Sequence, residues 1–265
     1  MPIDKESLSK LLHQYPTTGA LSTAVKSHLK EASERCIRDT GSFVIGLSGG
    51  SLISLLAPYI VDLITPQWFC FLVDERFVPE TSQESNAGQW LSANLPSSSL
   101  HRRTQRDATS SPVALEAAAV AAEDALKWVL EETGKDGADL ILLGMGADGH
   151  TASLFPNSQH FVDRSLQYSR LYIALGDAPA GPSQRLSMTL AGINSARQVI
   201  FVCTGGVKAD ALRRVLVLHD KKLPAYHVKP EKLSWYVDDA AAARLFDAIT
   251  LEESQSISPL QRPTK

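Results

Sequence analysis

Six short apolar runs punctuate the chain, at 43–47, 68–73, 140–143, 171–175, 199–203 and 233–237. Each has the length of a buried strand and is far too short to span a membrane. Strands that are apolar at nearly every position are covered on both faces, which calls for a parallel sheet with helices above and below it. The intervening segments have helical period. The clearest runs from 112 to about 132, with Ser111 placed as N-cap, Pro112 at the first helical position and Gly134 just past the end. An Ala-rich segment at 239–248, opened by Asp238 or Asp239, reads as another. This alternation predicts an α/β fold: a doubly wound, mostly parallel open sheet with helices on both faces, Rossmann-like in plan. The 265 residues suit one large domain. Residues 92–111, which carry Ser97-Ser98-Ser99 and the basic run His101-Arg102-Arg103-Thr104-Gln105-Arg106, read as a surface loop, and 254–265 as a flexible polar tail.

Charge narrows the class of partner. With 26 Lys plus Arg against 29 Asp plus Glu, the formal net charge is −3. A chain so balanced lacks the positive field with which nucleic-acid binders attract phosphate backbones, so an anionic ligand has to be held by a local site. Cys36, Cys70 and Cys203 are far apart and form neither a C-x-x-C pair nor an even-numbered framework, which points to buried thiols in a reducing compartment. The first ten residues carry charges where a signal peptide needs an apolar stretch. The expectation is a cytosolic protein that engages no membrane, no nucleic acid and no obligate protein partner.

In open α/β sheets ligands bind beyond the carboxyl ends of the strands, so the residues that follow each strand are the informative ones. After 43–47 comes Ser48-Gly49-Gly50-Ser51, ahead of a helical segment at 52–61. Glycines there let backbone N–H groups and the helix dipole approach an anion, which suits a phosphate, although the same tetrapeptide also makes a plain turn. After 68–73 comes Asp74-Glu75-Arg76, either a rim ion pair or part of a site. After 139–143 comes Gly144-Met145-Gly146-Ala147-Asp148-Gly149-His150-Thr151. It satisfies G-x-G-x-x-G, but Pro156 limits any following helix to about two turns and the next acid, Asp163, comes too early for a dinucleotide fingerprint. The glycines can instead shape a loop that presents Asp148 and His150. After 199–203 comes Thr204-Gly205-Gly206-Val207-Lys208, which puts a lysine at a helix start, where positive charge opposes the macrodipole and calls for an anion. Arg185, in Pro182-Ser183-Gln184-Arg185, joins these as a further cation. Ser48-Gly49-Gly50-Ser51 is not a G-x-S-x-G elbow, and Asp148 with His150 supplies two ligands where a metal shell needs more; neither an acyl-serine route nor a metal is expected.

Taken in order with the stretch Gly146 to Pro156, which reads Gly-Ala-Asp-Gly-His-Thr-Ala-Ser-Leu-Phe-Pro, these motifs make the chain resemble the 6-phosphogluconolactonases over about residues 20–250. The related glucosamine-6-phosphate deaminases share most of them, but in that branch a Glu precedes the proline, and here the position is Phe155. The resemblance implies hydrolysis of 6-phosphoglucono-δ-lactone, the second step of the oxidative pentose phosphate pathway, without a cofactor. It also implies His150 as general base, Ser48, Gly49, Gly50, Ser51, Arg76, Arg185 and Lys208 in contact with the phosphate or the sugar acid, and Asp74 and Asp148 ordering the site. Which of the two carboxylates orients His150 is left open.

Overall fold

A computed structural model describes residues 8, 10–102 and 111–247. Six strands form the main sheet: β1 (Leu12–Tyr15), β2 (Phe43–Leu47), β3 (Trp68–Leu72), β5 (Leu140–Gly144), β8 (Gln198–Cys203) and β9 (Lys232–Asp238). They lie in the order β1-β9-β8-β5-β2-β3, and every pairing is parallel. The alternation of side chains along β2 explains why this sheet needs cover on both faces. Phe43, Ile45 and Leu47 join a core with Leu21, Val25 and Leu29 of the helix Thr18–Thr40 and Leu52 and Leu56 of the helix Ser51–Ile60. Val44, with Ile141 and Leu143 of β5, joins the opposite core, to which the helix Pro112–Thr133 contributes Leu126 and Val129. That helix begins and ends as its sequence dictates. Ser111 accepts from Ala114 N at 3.1 Å, Pro112 occupies the first turn, and Gly134 sits in the left-handed region at φ 64°.

The chain runs outward from β2 to β3 and then returns to the other side of β2 for β5, β8 and β9. The reversal opens a crevice between the carboxyl ends of β2 and β5, where an open sheet of this kind binds its ligand.

A second, three-stranded antiparallel sheet was not foreseen. It comprises β4 (Asp74–Arg76), β7 (Arg185–Met188) and β6 (Tyr172–Leu175), in the order β4-β7-β6. Two sequence expectations are corrected by it. The apolar run at 171–175 does not belong to the parallel sheet; it is an edge strand of the small one, tethered by the Glu123 carboxylate, which accepts from the N–H groups of Leu171 and Tyr172 at 3.0 and 3.2 Å. Asp74-Glu75-Arg76 is not simply the exit of a strand but a strand itself. The two sheets are joined at Val73, which donates to Leu47 O of β2 at 3.0 Å and accepts from Met188 N of β7 at 2.7 Å, and by the Tyr172 hydroxyl of β6, which donates to Leu72 O of β3.

Other elements differ in extent. The Ala-rich helix covers Asp239–Ala242 and then loosens into turn, with Asp238 rather than Asp239 as its cap. Within 92–111, Ser99 and His101 bond the backbone of Cys70 at 2.7 and 2.8 Å along the outer edge of β3, and Leu95 and Leu100 are buried. Residues 103–110 of that stretch, and the tail at 254–265, lie outside the described residues. Lys135 and Asp139 form a buried ion pair at 2.5 Å ahead of β5; Lys135 also donates to Ser42 O and Asp139 accepts from Val44 N, which pins the starts of β2 and β5 together. No helix among the described residues is long and apolar enough to cross a membrane.

Candidate active site

Three glycine-rich turns meet at the crevice. The first follows β2. Gly50 adopts φ 65°, ψ −144°, a conformation closed to residues with a Cβ, and it precedes the helix Ser51–Ile60 with no side chain capping the first turn. Ile53 N donates to Gly50 O at 3.1 Å, and no N-cap side chain takes the N–H groups ahead of it, an arrangement that suits an anion.

The second turn follows β5 and folds on itself. Gly149 N donates to Gly146 O at 3.0 Å, Gly146 N donates to His150 O at 2.9 Å, and Thr151 Oγ1 donates to Gly144 O at 2.9 Å. No helix follows until Gln159–Val162, so this turn is not the entry to a dinucleotide site. Its closure brings Asp148 Oδ1 to 2.6 Å from His150 Nδ1 and 3.1 Å from the His150 backbone N. Gly146 is required here, since a Cβ on it would lie 2.2 Å from His150 Nδ1. Partial burial pushes the Asp148 carboxyl up, but the hydrogen bonds from the His150 ring and backbone outweigh it and hold the group below the ordinary carboxylate range. With a proton on Nδ1 shared toward Asp148, the lone pair of His150 resides on Nε2.

The third turn follows β8. Gly205, at φ 89°, donates its N–H to both carboxylate oxygens of Asp238, at 3.0 and 3.1 Å. Lys208 then stands immediately before the helix Ala209–Leu216, and no carboxylate lies within ion-pair distance of it among the described residues.

The small sheet supplies the remaining cations. Arg76 of β4 and Arg185 of β7 are Cα partners in the antiparallel ladder. Arg76 is anchored to Glu84 through its carbonyl (2.8 Å) and carboxylate (3.5 Å), and its buried Nε has no partner. Arg185, 6% exposed, is held by Pro182 O at 2.8 Å and by Ala180 O, with its guanidinium 6.0 Å from the ring centroid of Phe155. Burial, and then the adjacent Arg76 charge, lower the Arg185 pKa from its ordinary value. Two cations forced together in this way favour an anion beside them.

One cleft gathers Ser48, Gly49, Gly50, Ser51, Asp74, Arg76, His150, Arg185 and Lys208. Asp148 stands behind the imidazole it orients. Asp74 does not touch His150. Its Oδ2 accepts from Ser153 Oγ at 2.7 Å while its side chain lines the cleft, so the two carboxylates are placed for different tasks. Glu75, pointing the other way on β4, is neither a cleft residue nor a rim ion pair. Its carboxylate accepts from Arg76 N, Asn86 N and Ala87 N at 2.7, 2.7 and 2.8 Å and from Ser85 Oγ at 3.1 Å. Burial raises its pKa, against the pull of those bonds. Sequence reasoning missed Ser153 and Asn86, which sit in no glycine turn. Among the described residues, no cluster of three or more His, Cys, Asp or Glu could hold a metal ion.

The family model for glucosamine-6-phosphate isomerases/6-phosphogluconolactonase matches residues 16–237. The chain belongs to this family. A Drosophila melanogaster protein named probable 6-phosphogluconolactonase is 37% identical over 233 residues, covering 85% of this chain and 91% of its own. The Homo sapiens 6-phosphogluconolactonase is 33% identical over 247 residues, covering 89% and 93%. Among solved structures, the 6-phosphogluconolactonase of Trypanosoma cruzi superposes with a TM-score of 0.73 over 89% of this chain and 97% of that one, at 23% identity. That likeness is one of fold. Phe155, which follows the second turn, is 7% exposed with its ring centroid 4.7 Å from that of His150, so an apolar ring borders the imidazole while Asp148 engages its Nδ1.

Proposed function

We propose that this chain hydrolyses 6-phosphoglucono-δ-lactone to 6-phosphogluconate, the second step of the oxidative pentose phosphate pathway. The observation that carries the reading is the convergence, in one cleft at the β2/β5 reversal, of an uncapped helix start, Arg76, Arg185 and Lys208 with an imidazole whose Nδ1 is engaged by Asp148. The names of the relatives, and Phe155 beside His150, favour the lactonase branch.

A lactone carbonyl is already electrophilic, so the reaction needs a water, a base and positive groups where charge develops. His150 Nε2 takes a proton from water as its oxygen bonds to C1, and the carbonyl electrons move onto the carbonyl oxygen, where the cleft cations stabilise them. The tetrahedral adduct collapses, the C1 to ring-oxygen bond breaks, and the imidazolium returns its proton to the ring oxygen. The free carboxylic acid then ionises to water. Asp148 fixes the tautomer at the start and stabilises the imidazolium midway. The phosphate, gripped by the turn at 48–51 with Lys208 and Arg185, supplies binding energy that holds C1 over the base. Three free thiols suit a reducing cytosol.

The test is lactone consumption measured against the spontaneous rate, beside ammonia release from glucosamine 6-phosphate. Accelerated hydrolysis without ammonia supports the proposal. Ammonia release would transfer the chain to the deaminase branch, and binding without acceleration would make it a sugar-phosphate sensor.

A further inference from the structure

The turn at 48–51 is not self-supporting. Gly49 lies so close to Asn86 that a Cβ on it would stand 1.9 Å from Asn86 Oδ1 and 2.1 Å from its Cγ. Asn86 is fully buried; its Nδ2 donates to Asp74 O at 2.9 Å, and its Oδ1 has no hydrogen-bond partner. One helical turn further on, Trp90, also fully buried, donates from Nε1 to Ser48 O at 3.1 Å. Residues four apart share a helix face, so the two side chains of the helix Asn86–Ser92 meet adjacent residues of the turn, Asn86 at Gly49 and Trp90 at Ser48. The start of that helix is in turn fixed to β4 by the Glu75 carboxylate, which takes the N–H groups of Asn86 and Ala87.

We infer that Asn86, seconded by Trp90, is the positioning residue that sets the shape of the phosphate-holding turn and ties it to the strand bearing Asp74 and Arg76. The inference rests on the proposed reading of 48–51 as a phosphate cradle. A buried carbonyl oxygen without a partner is an exception that demands a reason. The reason here is spatial: the carboxamide fills the volume that the missing side chain of Gly49 leaves, and no donor stands on that side to meet it. Asn86 makes no contact with the reacting carbon in this account; it acts through its packing on Gly49 and its bond to Asp74 O.

The experiment is a double-mutant cycle between Gly49→Ala and Asn86→Ala, read by steady-state kinetics and by calorimetric binding of inorganic phosphate to the full-length protein. Asn86→Ala raises KM and the phosphate Kd together by about 10-fold and changes kcat by less than about 3-fold, the pattern of lost binding rather than lost chemistry. Gly49→Ala alone, whose methyl collides with the carboxamide, raises both by about 100-fold, and adding Asn86→Ala returns them to about the level of Asn86→Ala alone, a non-additivity of about 100-fold. Trp90→Phe, which removes the indole N–H and leaves a small cavity beside the turn, raises the phosphate Kd by about 3-fold with the far-ultraviolet circular dichroism unchanged. Strictly additive effects of Gly49→Ala and Asn86→Ala, or an unchanged phosphate Kd in folded Asn86→Ala, would overturn the inference. Wild-type protein that accelerates no lactone hydrolysis yet binds phosphate, with Asn86→Ala weakening that binding, would remove the proposed reaction and leave this inference standing.

Discussion

Arg76 and Arg185 face each other across the β4–β7 ladder, two cations as direct cross-strand partners. Arg185 is held by the carbonyl oxygens of Pro182 and Ala180, which fix its geometry without cancelling its charge, while Arg76 bonds the Glu84 carbonyl and pairs with the Glu84 carboxylate at 3.5 Å. Arg185→Gln should raise KM for the phosphorylated lactone by about 10- to 100-fold with kcat little altered, since the contact is made equally in ground and transition states. Initial rates over a range of substrate concentrations decide it, and a loss confined to kcat would move Arg185 from substrate binding to the chemical step.

The chemical step should fall on the imidazole. His150→Ala is expected to lower kcat by ~10²–10⁴ with KM nearly constant. Asp148→Asn should lower kcat by up to ~10⁴, because an amide at that place admits the wrong tautomer. An Asp148→Asn enzyme with wild-type kcat would show that the 2.6 Å contact is incidental.

Asp148 also carries a pH signature. Its carboxyl is held below its ordinary value of 3.8, so it binds fewer protons folded than unfolded. A depressed folded pKa contributes stability that is complete above the unfolded value and disappears as pH falls through the folded one. The gap in unfolding free energy between wild type and Asp148→Asn should hold steady from neutral pH down to the ordinary carboxylate range and narrow below it. Urea titrations at a series of pH values measure this, and a gap that widened in acid would contradict the sign.

The pair Lys135–Asp139 should matter to stability and not to catalysis. Both side chains are 2% exposed or less. Lys135→Met leaves a buried carboxylate unmatched, for which about 3–5 kcal/mol of destabilisation is expected in urea unfolding. Activity per folded molecule should be unchanged.

Cys70 and Cys203 should be chemically silent in the native state. Burial pushes both thiols up to about 12, which leaves a thiolate fraction of about 10⁻⁴ at pH 8. Mass spectrometry after brief iodoacetamide treatment should find both unmodified in native protein and alkylated in urea, and native labelling at either would mean the core opens locally.

The main sheet was legible because its central strands are apolar at nearly every position, and only a two-faced burial explains a run such as Leu140-Ile141-Leu142-Leu143. The small sheet was not, for a physical reason. Its strands are three or four residues long, and Arg185-Leu186-Ser187-Met188 and Asp74-Glu75-Arg76 carry the polar side chains of the cleft. Residues that serve a site break the alternation by which strands are recognised. β1, Leu12-His13-Gln14-Tyr15, was hidden the same way at the outer edge. The turns that line the cleft were visible because glycine marks them. Which carboxylate serves His150 was not, since it depends on the turn closing through Gly146 and Gly149, nor was Asn86, whose contact with Gly49 spans residues distant along the chain.

Val73 donates to one sheet and accepts from the other, with β3 ending one residue before it and β4 beginning one residue after. A one-residue seam leaves little chain between the strands for one half of the cleft to swing toward the other. Selectivity among sugar acids must then come from a fixed mould, and broadening it would require recutting the walls residue by residue rather than loosening a joint.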